Sequence, residues 1–356
     1  MTQIFEGVAR SPRHTSFYLS CGPADGTPII FLHGWPELSL SWRGQLPVFG
    51  ALGFRAVAPD MRGYGRSSIQ ADPSAYALEE IVGDVLELLD HLEIRAALFV
   101  GHDWGAPVVW CLAQHHPERC LAVASLCVPY IPEGFAPATL IPLSDRTIYP
   151  EREHPAAQWD YQLFYAENLE GASAAWEKNV RATVRALFRA GSTEAMGAPA
   201  FTAGVRARGG YFGPGAGAPD LPRDEAVISA AEESVYVAAL TRNGFKGPDS
   251  WYVNAERNLA FAQKARERWR LKMPVLFVHA AYDPVCATLK SRLAEPMRRW
   301  CDDLEEAVVA SGHWMAQEKP IEVNAALCHW LARKAAALWR VSPRSGATGS
   351  AAGAPA

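Results

Sequence analysis

The chain reads Gly101-His102-Asp103-Trp104-Gly105 at the point where one apolar run, 96–100, ends and another, 107–112, begins. The first run predicts a buried strand, and the second predicts the start of a helix. A strand, a sharp turn and a helix in this order are typical of a nucleophile elbow, in which the central residue of the turn is presented at the edge of a sheet. Because that central residue is Asp103, where the common form of the motif has serine, we expect a carboxylate nucleophile.

A carboxylate in this position favours a different chemistry from that of serine. It cannot usefully acylate itself on an ester or an amide, but it displaces well a leaving group on an sp³ carbon. The strained oxygen of an epoxide and the halide of an alkyl halide are both leaving groups of this kind. The elbow therefore indicates alkylation of Asp103, with epoxides or alkyl halides as the leading substrates.

An elbow nucleophile needs a base and an acid that orients the base, and both are expected later in the chain. Asp283 directly follows one apolar strand, and His313 directly follows another. The carboxyl ends of strands in an open α/β sheet are where ligand-contacting groups collect. Alone, Asp283 could be a turn residue before proline and His313 a hydrogen-bonded loop histidine, but together they predict a triad with Asp103. His33 and His102 are interpreted as structural hydrogen-bonding residues.

A glycine turn follows an earlier strand and reads His33-Gly34-Trp35-Pro36-Glu37. A glycine before a bulky residue lets the chain turn so that a backbone N–H faces the site. The N–H groups of Trp35 and Trp104 are therefore expected to form an oxyanion hole, with a simple strand-ending turn as the alternative interpretation. The Trp35–Pro36 bond is predicted to be cis, since X-Pro bonds have only a small preference for trans.

The strand patterns along the chain predict a mostly parallel sheet. The first two look like a pair of strands, and the others are continuous apolar runs, which are typical of strands covered on both faces. Helical patterns lie between most of them, most clearly at 76–92, where apolar residues recur with helical spacing. This alternation indicates a doubly wound α/β fold. The predicted strands lie at 4–9, 15–20, 28–32, 55–58, 96–100, 121–127, 274–279 and 306–310.

A long segment after the sixth strand breaks this rhythm. It is rich in Pro, Gly, Ala and aromatic residues, and it has helix-like patches at 172–189 and 224–243. A loop of this length without structure would be unusual in a compact domain, so we expect a helical cap over the carboxyl edge of the sheet. The predicted division is a core at 1–129 and 259–340, a cap at 130–258 and a disordered tail at 341–356.

Composition excludes several classes of protein. The chain has 356 residues, 49% of them hydrophobic, which predicts a globular protein with a substantial core. Its formal net charge of -4 favours neither nucleic acid nor an anionic membrane as a partner. The seven cysteines form no C-x-x-C pair and mostly lie in apolar runs, so reduced thiols are expected. We find neither a signal peptide nor a spanning segment, and we expect a cytoplasmic protein.

The chain resembles the epoxide hydrolases of the α/β-hydrolase fold, and in particular the hydrolase domain of the soluble epoxide hydrolases. The resemblance extends from about 15 to 331 and implies a mostly parallel, twisted sheet flanked by helices, with an inserted helical cap. The two motifs in the cap are its most specific part. The six motifs are His33-Gly-Trp-Pro-Glu37, Asp60-Met-Arg-Gly-Tyr-Gly-Arg-Ser-Ser68, Gly101-His-Asp-Trp-Gly105, Trp159-Asp-Tyr-Gln162, Gly244-Phe-Lys-Gly-Pro-Asp-Ser-Trp-Tyr252 and Gly312-His-Trp314.

The resemblance implies a function for two tyrosines of the cap. In that family two cap tyrosines donate hydrogen bonds to the epoxide oxygen, and Tyr161 and Tyr252 stand at the matching positions, where packing is the alternative role. We expect a lipophilic epoxide as the small-molecule substrate, with no metal and no organic cofactor. A homodimer is left open. The pocket is expected to be lined by Trp35, Pro36, Trp104, Trp159, Gln162 and Trp314.

Two other interpretations stay open from the sequence. A haloalkane dehalogenase would share Asp103, Trp104 and His313, but it does not need paired cap tyrosines. A non-catalytic binding protein of the same fold is the second alternative, which the intact set of triad residues disfavours. Fold alone does not choose among these functions.

Overall fold

Eight strands form one sheet in the computed structural model, which describes residues 3–334 and 336–338. Their spatial order is β1-β2-β4-β3-β5-β6-β7-β8. The strands from β4 to β8 in this order pair in parallel, and β1 and β2 are added antiparallel at one edge. The bounds are β1 (Ile4–Arg10), β2 (Thr15–Cys21), β3 (Thr27–Leu32), β4 (Phe54–Pro59), β5 (Ala97–His102), β6 (Cys120–Leu126), β7 (Leu271–Ala280) and β8 (Cys301–Val309).

Each strand predicted from the sequence is present, and the predicted mostly parallel sheet is confirmed. The largest difference is in β8, which begins at Cys301 rather than at 306. Its first half is acidic, and β8 is the last strand in the order. Most of its side chains are therefore half-buried or exposed to solvent. An apolar run therefore detects only its second half.

Helices cover the sheet, and the helix predicted at 76–92 is confirmed as α2. Packing places α1 against β4, α3 against β5 and β6, and α13 against β7 and β8. The helices are α1 (Leu46–Ala51), α2 (Leu78–His91), α3 (Gly105–His115), α4 (Pro137–Leu140), α5 (Asp160–Glu167), α6 (Leu169–Glu177), α7 (Val180–Leu187), α8 (Ala230–Asn243), α9 (Lys246–Asp249), α10 (Ala255–Lys264), α11 (Glu295–Trp300), α12 (Met315–Glu318) and α13 (Pro320–Lys334).

Helices α4 to α10 lie in the chain between β6 and β7, and we infer that residues 130–254 form the cap. The predicted boundary at 258 falls inside α10, which packs against α2 of the core. The helix-like patch at 172–189 is two helices, because the Asn179 side chain accepts the N–H of Ala182 and starts α7 there. The patch at 224–243 is helical only from Ala230, after the Ser229–Glu232 capping box.

All seven cysteines are free thiols, as expected, and Cys328 alone among them is not fully buried. Over the residues that the structure describes, none of the helices combines the length and the apolarity that crossing a bilayer requires. The tail predicted at 341–356 lies outside the described residues.

Candidate active site

Asp103 occupies the turn between β5 and α3, with φ of 47°. Few residues other than glycine adopt this left-handed region, and such strain is typical of functional turns. The turn is also tight, since a Cβ on Gly105 would lie 2.1 Å from the Leu32 carbonyl oxygen and one on Gly101 would lie 2.6 Å from the Gly105 carbonyl oxygen. The two glycines of the motif are therefore required for the turn that presents Asp103.

The structure brings the three predicted triad residues together from three strand ends. His313 Nε2 lies 3.5 Å from Asp103 Oδ2, and His313 Nδ1 lies 2.7 Å from Asp283 Oδ2. Asp283 is fully buried, and its Oδ1 accepts the N–H groups of Val285 and Cys286. Burial would raise the pKa of Asp283, but His313 and these two N–H groups outweigh burial and lower it. Asp283 is thus an ionised carboxylate that orients His313.

The electrostatics of His313 depend on both carboxylates. Burial by itself would lower the pKa of His313. The carboxylate of Asp283 in the first place, and the hydrogen bond to Asp103 next, raise it well above the usual value for histidine. With both carboxylates ionised, the imidazole is therefore held in its protonated form.

The loop after β3 supplies a backbone donor to Asp103. The Trp35 N–H donates to Asp103 Oδ1 at 2.6 Å. The Trp104 nitrogen is in the same region, because a Cβ on Gly34 would come within 2.5 Å of it and within 2.2 Å of Asp103 Oδ1. The Trp35–Pro36 bond is cis, as predicted. Of the two predicted donors, Trp35 is therefore hydrogen-bonded to Asp103, and Trp104 lies close by.

Tyr161 and Tyr252 face the nucleophile from the cap. Tyr161 is in α5, Tyr252 is in the short 3-10 helix Ser250–Val253, and their ring centroids are 5.4 Å apart. Burial first, and the negative charge of Asp103 next, raise the pKa of both hydroxyls. Both phenols are therefore protonated and can donate hydrogen bonds. The ring of Tyr165 stacks on Tyr252 at 4.6 Å.

A cavity of about 490 Å³ connects these groups. Its wall includes Asp103, His313, Tyr161 and Tyr252, and it continues between cap and core along mostly apolar side chains. The remaining wall residues are Trp35, Val128, Phe135, Trp159, Trp176, Ala186, Leu187, Arg189, Ala190, Gly191, Ser192, Ala195, Phe201, Thr202, Tyr211, Phe212, Pro219, Leu221, Tyr282, Pro284, Val285, Cys286, Gly312 and Trp314.

Three of the six residues expected to line the pocket are in this wall, namely Trp35, Trp159 and Trp314. The other three are not part of this wall. The Trp104 ring packs edge-on against Phe135 and Tyr252, and the Gln162 amide donates to the Tyr161 hydroxyl at 3.3 Å. Pro36 belongs to the cis turn itself. Trp104 and Gln162 therefore contact residues of the wall.

The two histidines that were interpreted as structural are both hydrogen-bonded and buried. His33 Nδ1 lies 2.9 Å from the Gly34 carbonyl oxygen, and its Nε2 accepts the Met61 N–H. His102 Nδ1 lies 2.8 Å from Glu37 Oε2, and its Nε2 lies 2.7 Å from the His313 carbonyl oxygen. Burial would lower the pKa of His102, but the Glu37 carboxylate outweighs burial and raises it to about 10.

Sequence reasoning missed two buried acids close to the site. Glu37 accepts the N–H of Gly34 and the amide of Gln317 in addition to its bond with His102. Asp249 accepts the indole N–H of Trp35. Both acids lie within motifs that carry the resemblance. An acidic residue in an otherwise apolar or glycine-rich motif was the sequence signal that could have indicated a buried acid.

One group of potential metal ligands occurs in the part of the chain that the structure describes, namely His102, Cys127 and His313, whose ligand atoms all lie within 4.8 Å of one another. Both nitrogens of His102 and Nδ1 of His313 already have hydrogen-bond partners. The Cys127 thiol donates to the His313 carbonyl oxygen. These groups therefore serve the hydrogen-bond network around the triad.

Comparison with known proteins identifies similar chains. Residues 27–320 match the family described as the alpha/beta hydrolase fold. The chain is 33% identical over 324 residues to epoxide hydrolase A of Mycobacterium tuberculosis, covering 86% of this chain and 91% of that one. It is 34% identical over 309 residues to the bifunctional epoxide hydrolase 2 of Sus scrofa, covering 86% of this chain and 51% of that one. The chain thus spans about half the length of such bifunctional relatives.

Solved structures agree with these similarities. The crystal structure of epoxide hydrolase A from Mycobacterium thermoresistibile matches with a TM-score of 0.78 and 29% sequence identity, over 93% of this chain and 99% of that one. An epoxide hydrolase from an endophytic Streptomyces matches with a TM-score of 0.76 and 27% identity, over 92% of this chain and 95% of that one. The similarity therefore includes both the sheet and the inserted helices.

Proposed function

The chain belongs to the α/β-hydrolase fold family and, within it, to the epoxide hydrolases, and from this membership we propose that it converts an apolar epoxide to a vicinal diol through an ester on Asp103. The observation that carries the proposal is a single cavity in which Asp103, His313 and the phenols of Tyr161 and Tyr252 all meet. A carboxylate nucleophile facing two phenol donors suits a reaction in which a C–O bond breaks and the oxygen must be stabilised.

The first step opens the epoxide ring. One Asp103 oxygen attacks a ring carbon in line and forms a C–O bond, while the bond from that carbon to the ring oxygen breaks and its electron pair stays on the oxygen. Tyr161 and Tyr252 donate hydrogen bonds to that oxygen, and one of them supplies the proton. The product is a hydroxyalkyl ester of Asp103.

The second step hydrolyses the ester with water. His313 Nε2 takes a proton from water, whose oxygen attacks the carbonyl carbon of the ester, and the carbonyl electrons move to the oxygen beside the Trp35 and Trp104 N–H groups. The tetrahedral intermediate then collapses, the carbon–oxygen bond to the substrate breaks, and the leaving alkoxide takes the proton from His313. The diol leaves, and the remaining proton of the attacking water passes from Asp103 to His313, so that Asp103 is a carboxylate and His313 is protonated again. Water is the only co-reactant.

The charges around Asp103 explain why His313 acts as a base only after alkylation. The charge of Asp103 helps to keep His313 protonated in the free protein. Conversion of Asp103 into a neutral ester removes that contribution and lowers the pKa of His313. His313 then loses its proton, which restores the tyrosine that protonated the ring oxygen, and the neutral imidazole can accept a proton from water.

The cavity supports a lipophilic substrate. Its wall is mostly aromatic and aliphatic, including Trp35, Trp159 and Phe201, and such walls bind apolar groups and limit the entry of additional water. The paired phenols favour an epoxide over an alkyl halide, because a departing halide needs no proton.

The proposal is tested with styrene oxide and with a short bromoalkane. We expect the purified protein to form the diol from styrene oxide at a rate at least tenfold above its release of bromide. We expect Asp103→Asn to have no turnover, since the amide is not a nucleophile. Bromide release that exceeds diol formation would favour a dehalogenase.

The ester itself is tested by stopping the second step. In His313→Gln the ring still opens, but water is no longer activated, so intact-mass spectrometry should show protein plus one epoxide mass. Asp103→Asn treated in the same way is the control and should show the unmodified mass. A folded His313→Gln protein that never gains the adduct would contradict the covalent mechanism.

A further inference from the structure

Asp249 is a buried acid of the cap whose function the mechanism above does not use. It ends α9 and is fully shielded from solvent. Its Oδ1 accepts the indole N–H of Trp35 at 2.8 Å, and its Oδ2 accepts the Ser173 hydroxyl at 2.8 Å. The hydroxyl of Tyr165 lies near the same carboxyl group. Three elements of the fold therefore converge on one carboxyl group.

Burial of this group is unfavourable, so its position needs an explanation. Burial raises the pKa of Asp249 to about 8, although Ser173, Trp35 and Tyr165 oppose the rise. All three of these side chains are neutral. An apolar side chain would cost less to bury at the same place. The presence of a carboxyl group at this position is therefore best explained by the side chains to which it is hydrogen-bonded.

The first of these groups is Trp35, which contacts Asp103 from the core. The Trp35 backbone N–H donates to Asp103 Oδ1 at 2.6 Å, while the indole of the same residue is bonded to Asp249. The indole packs edge-on against Trp176 and Tyr252 of the cap. The side chain of Trp35 is thus fixed by the cap, and its backbone faces the reacting carboxylate.

The second group is on the cap side of the cavity. Tyr165 lies near Asp249, accepts the indole N–H of Trp176 at 3.0 Å, and stacks on the ring of Tyr252 at 4.6 Å with an interplanar angle of 11°. Asp249 therefore connects the oxyanion donor of the core to the ring that supports one of the two phenols. A carboxyl group that orients groups contacting the substrate is typical of preorganised sites.

We propose that Asp249 is a positioning residue, which holds Trp35 so that its backbone N–H stabilises the oxyanion formed on Asp103 during ester hydrolysis. The proposal rests on the function proposed above. In the second step Asp103 Oδ1 gains a full negative charge, and the Trp35 N–H bond strengthens at that moment. In the first step the charge of Asp103 decreases, so the same bond contributes little to ring opening. Loss of the anchor therefore slows the second step more than the first.

The experiment compares Trp35→Phe, Asp249→Leu, Asp249→Asn and the double variant Trp35→Phe/Asp249→Leu. Phenylalanine keeps a ring in the cavity wall but has no N–H, leucine has no acceptor, and asparagine keeps an acceptor oxygen for the indole. Steady-state rates with styrene oxide are combined with acid quenching and intact-mass measurement of the ester during turnover. Glu233→Gln is the control, since Glu233 is a buried acid of the cap that bonds Arg181, Arg185 and Arg223 instead.

We expect Trp35→Phe and Asp249→Leu to lower kcat about tenfold, as for a small displacement of a catalytic donor. KM should fall with kcat, so that kcat/KM changes less than about threefold. The alkylated fraction during turnover should increase in both variants. Asp249→Asn should recover most of the kcat that Asp249→Leu loses, and the double variant should be no slower than the slower single variant. Glu233→Gln should leave the alkylated fraction at the wild-type value.

The proposal would be overturned if Trp35→Phe and Asp249→Leu lost kcat and kcat/KM equally with no increase of the alkylated fraction. Additive losses of kcat in the double variant would also overturn it. If Asp249→Leu does not fold, Trp35→Phe alone tests the proposal. The proposal requires that Trp35→Phe raise the alkylated fraction. Failure of the underlying function gives a different result, namely no adduct in His313→Gln. An adduct in His313→Gln with no change of the alkylated fraction in Trp35→Phe rejects only the role of Asp249.

Discussion

At the scale of single residues, the charge of Asp103 acts on the three other groups that are proposed to react. It raises the pKa of Tyr161 and of Tyr252, and it contributes to the raised pKa of His313. In the proposed mechanism, attack on the substrate removes this charge and creates a new one on the substrate oxygen beside the phenols. The phenols become better acids and the imidazole becomes a better base in the same event. Alkylation therefore prepares the groups needed for the steps that follow it.

The two phenols are expected to act together on ring opening. Replacement of Tyr161 or Tyr252 by Phe removes one hydrogen bond to the departing oxygen, and each single change should lower kcat/KM by about 10²-fold. The double change leaves the oxygen without either donor and should lower kcat/KM by about 10⁴-fold. Single-turnover measurement of ester formation checks this. Tyr130→Phe is the control, since that buried hydroxyl donates to the Trp269 carbonyl oxygen and neither residue is part of the cavity wall. Full ring-opening rates in the double variant would assign the tyrosines to packing.

Sequence patterns at this scale predicted that Asp103, Asp283 and His313 lie together, because each directly follows a strand whose apolar run is visible in the sequence. Parallel strands bring their carboxyl ends to one edge, so chain position alone implied proximity. Glu37 and Asp249 could not be found in this way. Their partners are up to 280 residues away in the chain, and only packing determines which donor reaches a buried acid.

At the scale of elements, the cap is attached to the loop that contains His313. Glu318 of α12 accepts the N–H groups of Gly191 and Gly312, at 3.1 and 2.8 Å. The two glycines are so close that a Cβ on Gly191 would lie 2.2 Å from the Gly312 Cα atom. The Trp314 indole donates to the Leu187 carbonyl oxygen at 2.6 Å, at the end of α7. Movement of this cap segment and movement of the histidine loop are therefore coupled.

Removal of Glu318 is expected to loosen this attachment. Glu318→Ala deletes two hydrogen bonds to a carboxylate and should lower the free energy of unfolding by about 1–3 kcal/mol. Hydrogen exchange of the Gly191 and Gly312 amides should become faster, and kcat should decrease about threefold or more, since His313 loses support. Glu322→Ala is the matched control, because Glu322 is exposed on the adjacent helix. Unchanged amide exchange at both glycines in Glu318→Ala would show that the attachment depends on other contacts.

Element boundaries in the cap depended on local signals that hydrophobic periodicity does not contain. The break between α6 and α7 depends on the Asn179 side chain, which caps the new helix. The late start of α8 depends on the hydrogen bonds between Ser229 and Glu232. Asn and Ser residues are visible in a sequence, but the packed structure determines which of them caps a helix.

At the scale of the whole molecule, one buried ion pair joins the loops at the carboxyl edge of the sheet. Glu37 lies after β3, and it bonds His102 at the end of β5 and Gln317 in α12. His102 in turn bonds the carbonyl oxygen of His313, after β8. The side chains of Glu37 and His102 are each 1% exposed. The pair therefore helps to fix the relative positions of the loop after β3, Asp103 and His313.

This pair should contribute to global stability in a defined range of pH. The pKa of His102 is raised from 6.5 to about 10, so its contribution is fully present below pH 6.5 and is lost as the pH rises through about 10. The pKa of Glu37 is lowered from 4.5 to about 2, chiefly because His102 outweighs burial, so its contribution is present above pH 4.5 and is lost as the pH falls through about 2. The stabilisation should therefore be largest between about pH 4.5 and 6.5.

Glu37→Gln tests this dependence, because it leaves His102 buried without its counter-charge. Breaking a buried pair in this way should lower the free energy of unfolding by about 3–5 kcal/mol near pH 6. The difference between wild type and Glu37→Gln should decrease toward pH 10, where His102 loses its proton in the wild type, and toward pH 2, where Glu37 gains one. Urea unfolding at intervals from pH 3 to pH 10 measures it. A difference that stays constant over this range would mean that Glu37 stabilises the protein through its neutral hydrogen bonds to Gly34 and Gln317 rather than through the charge of His102.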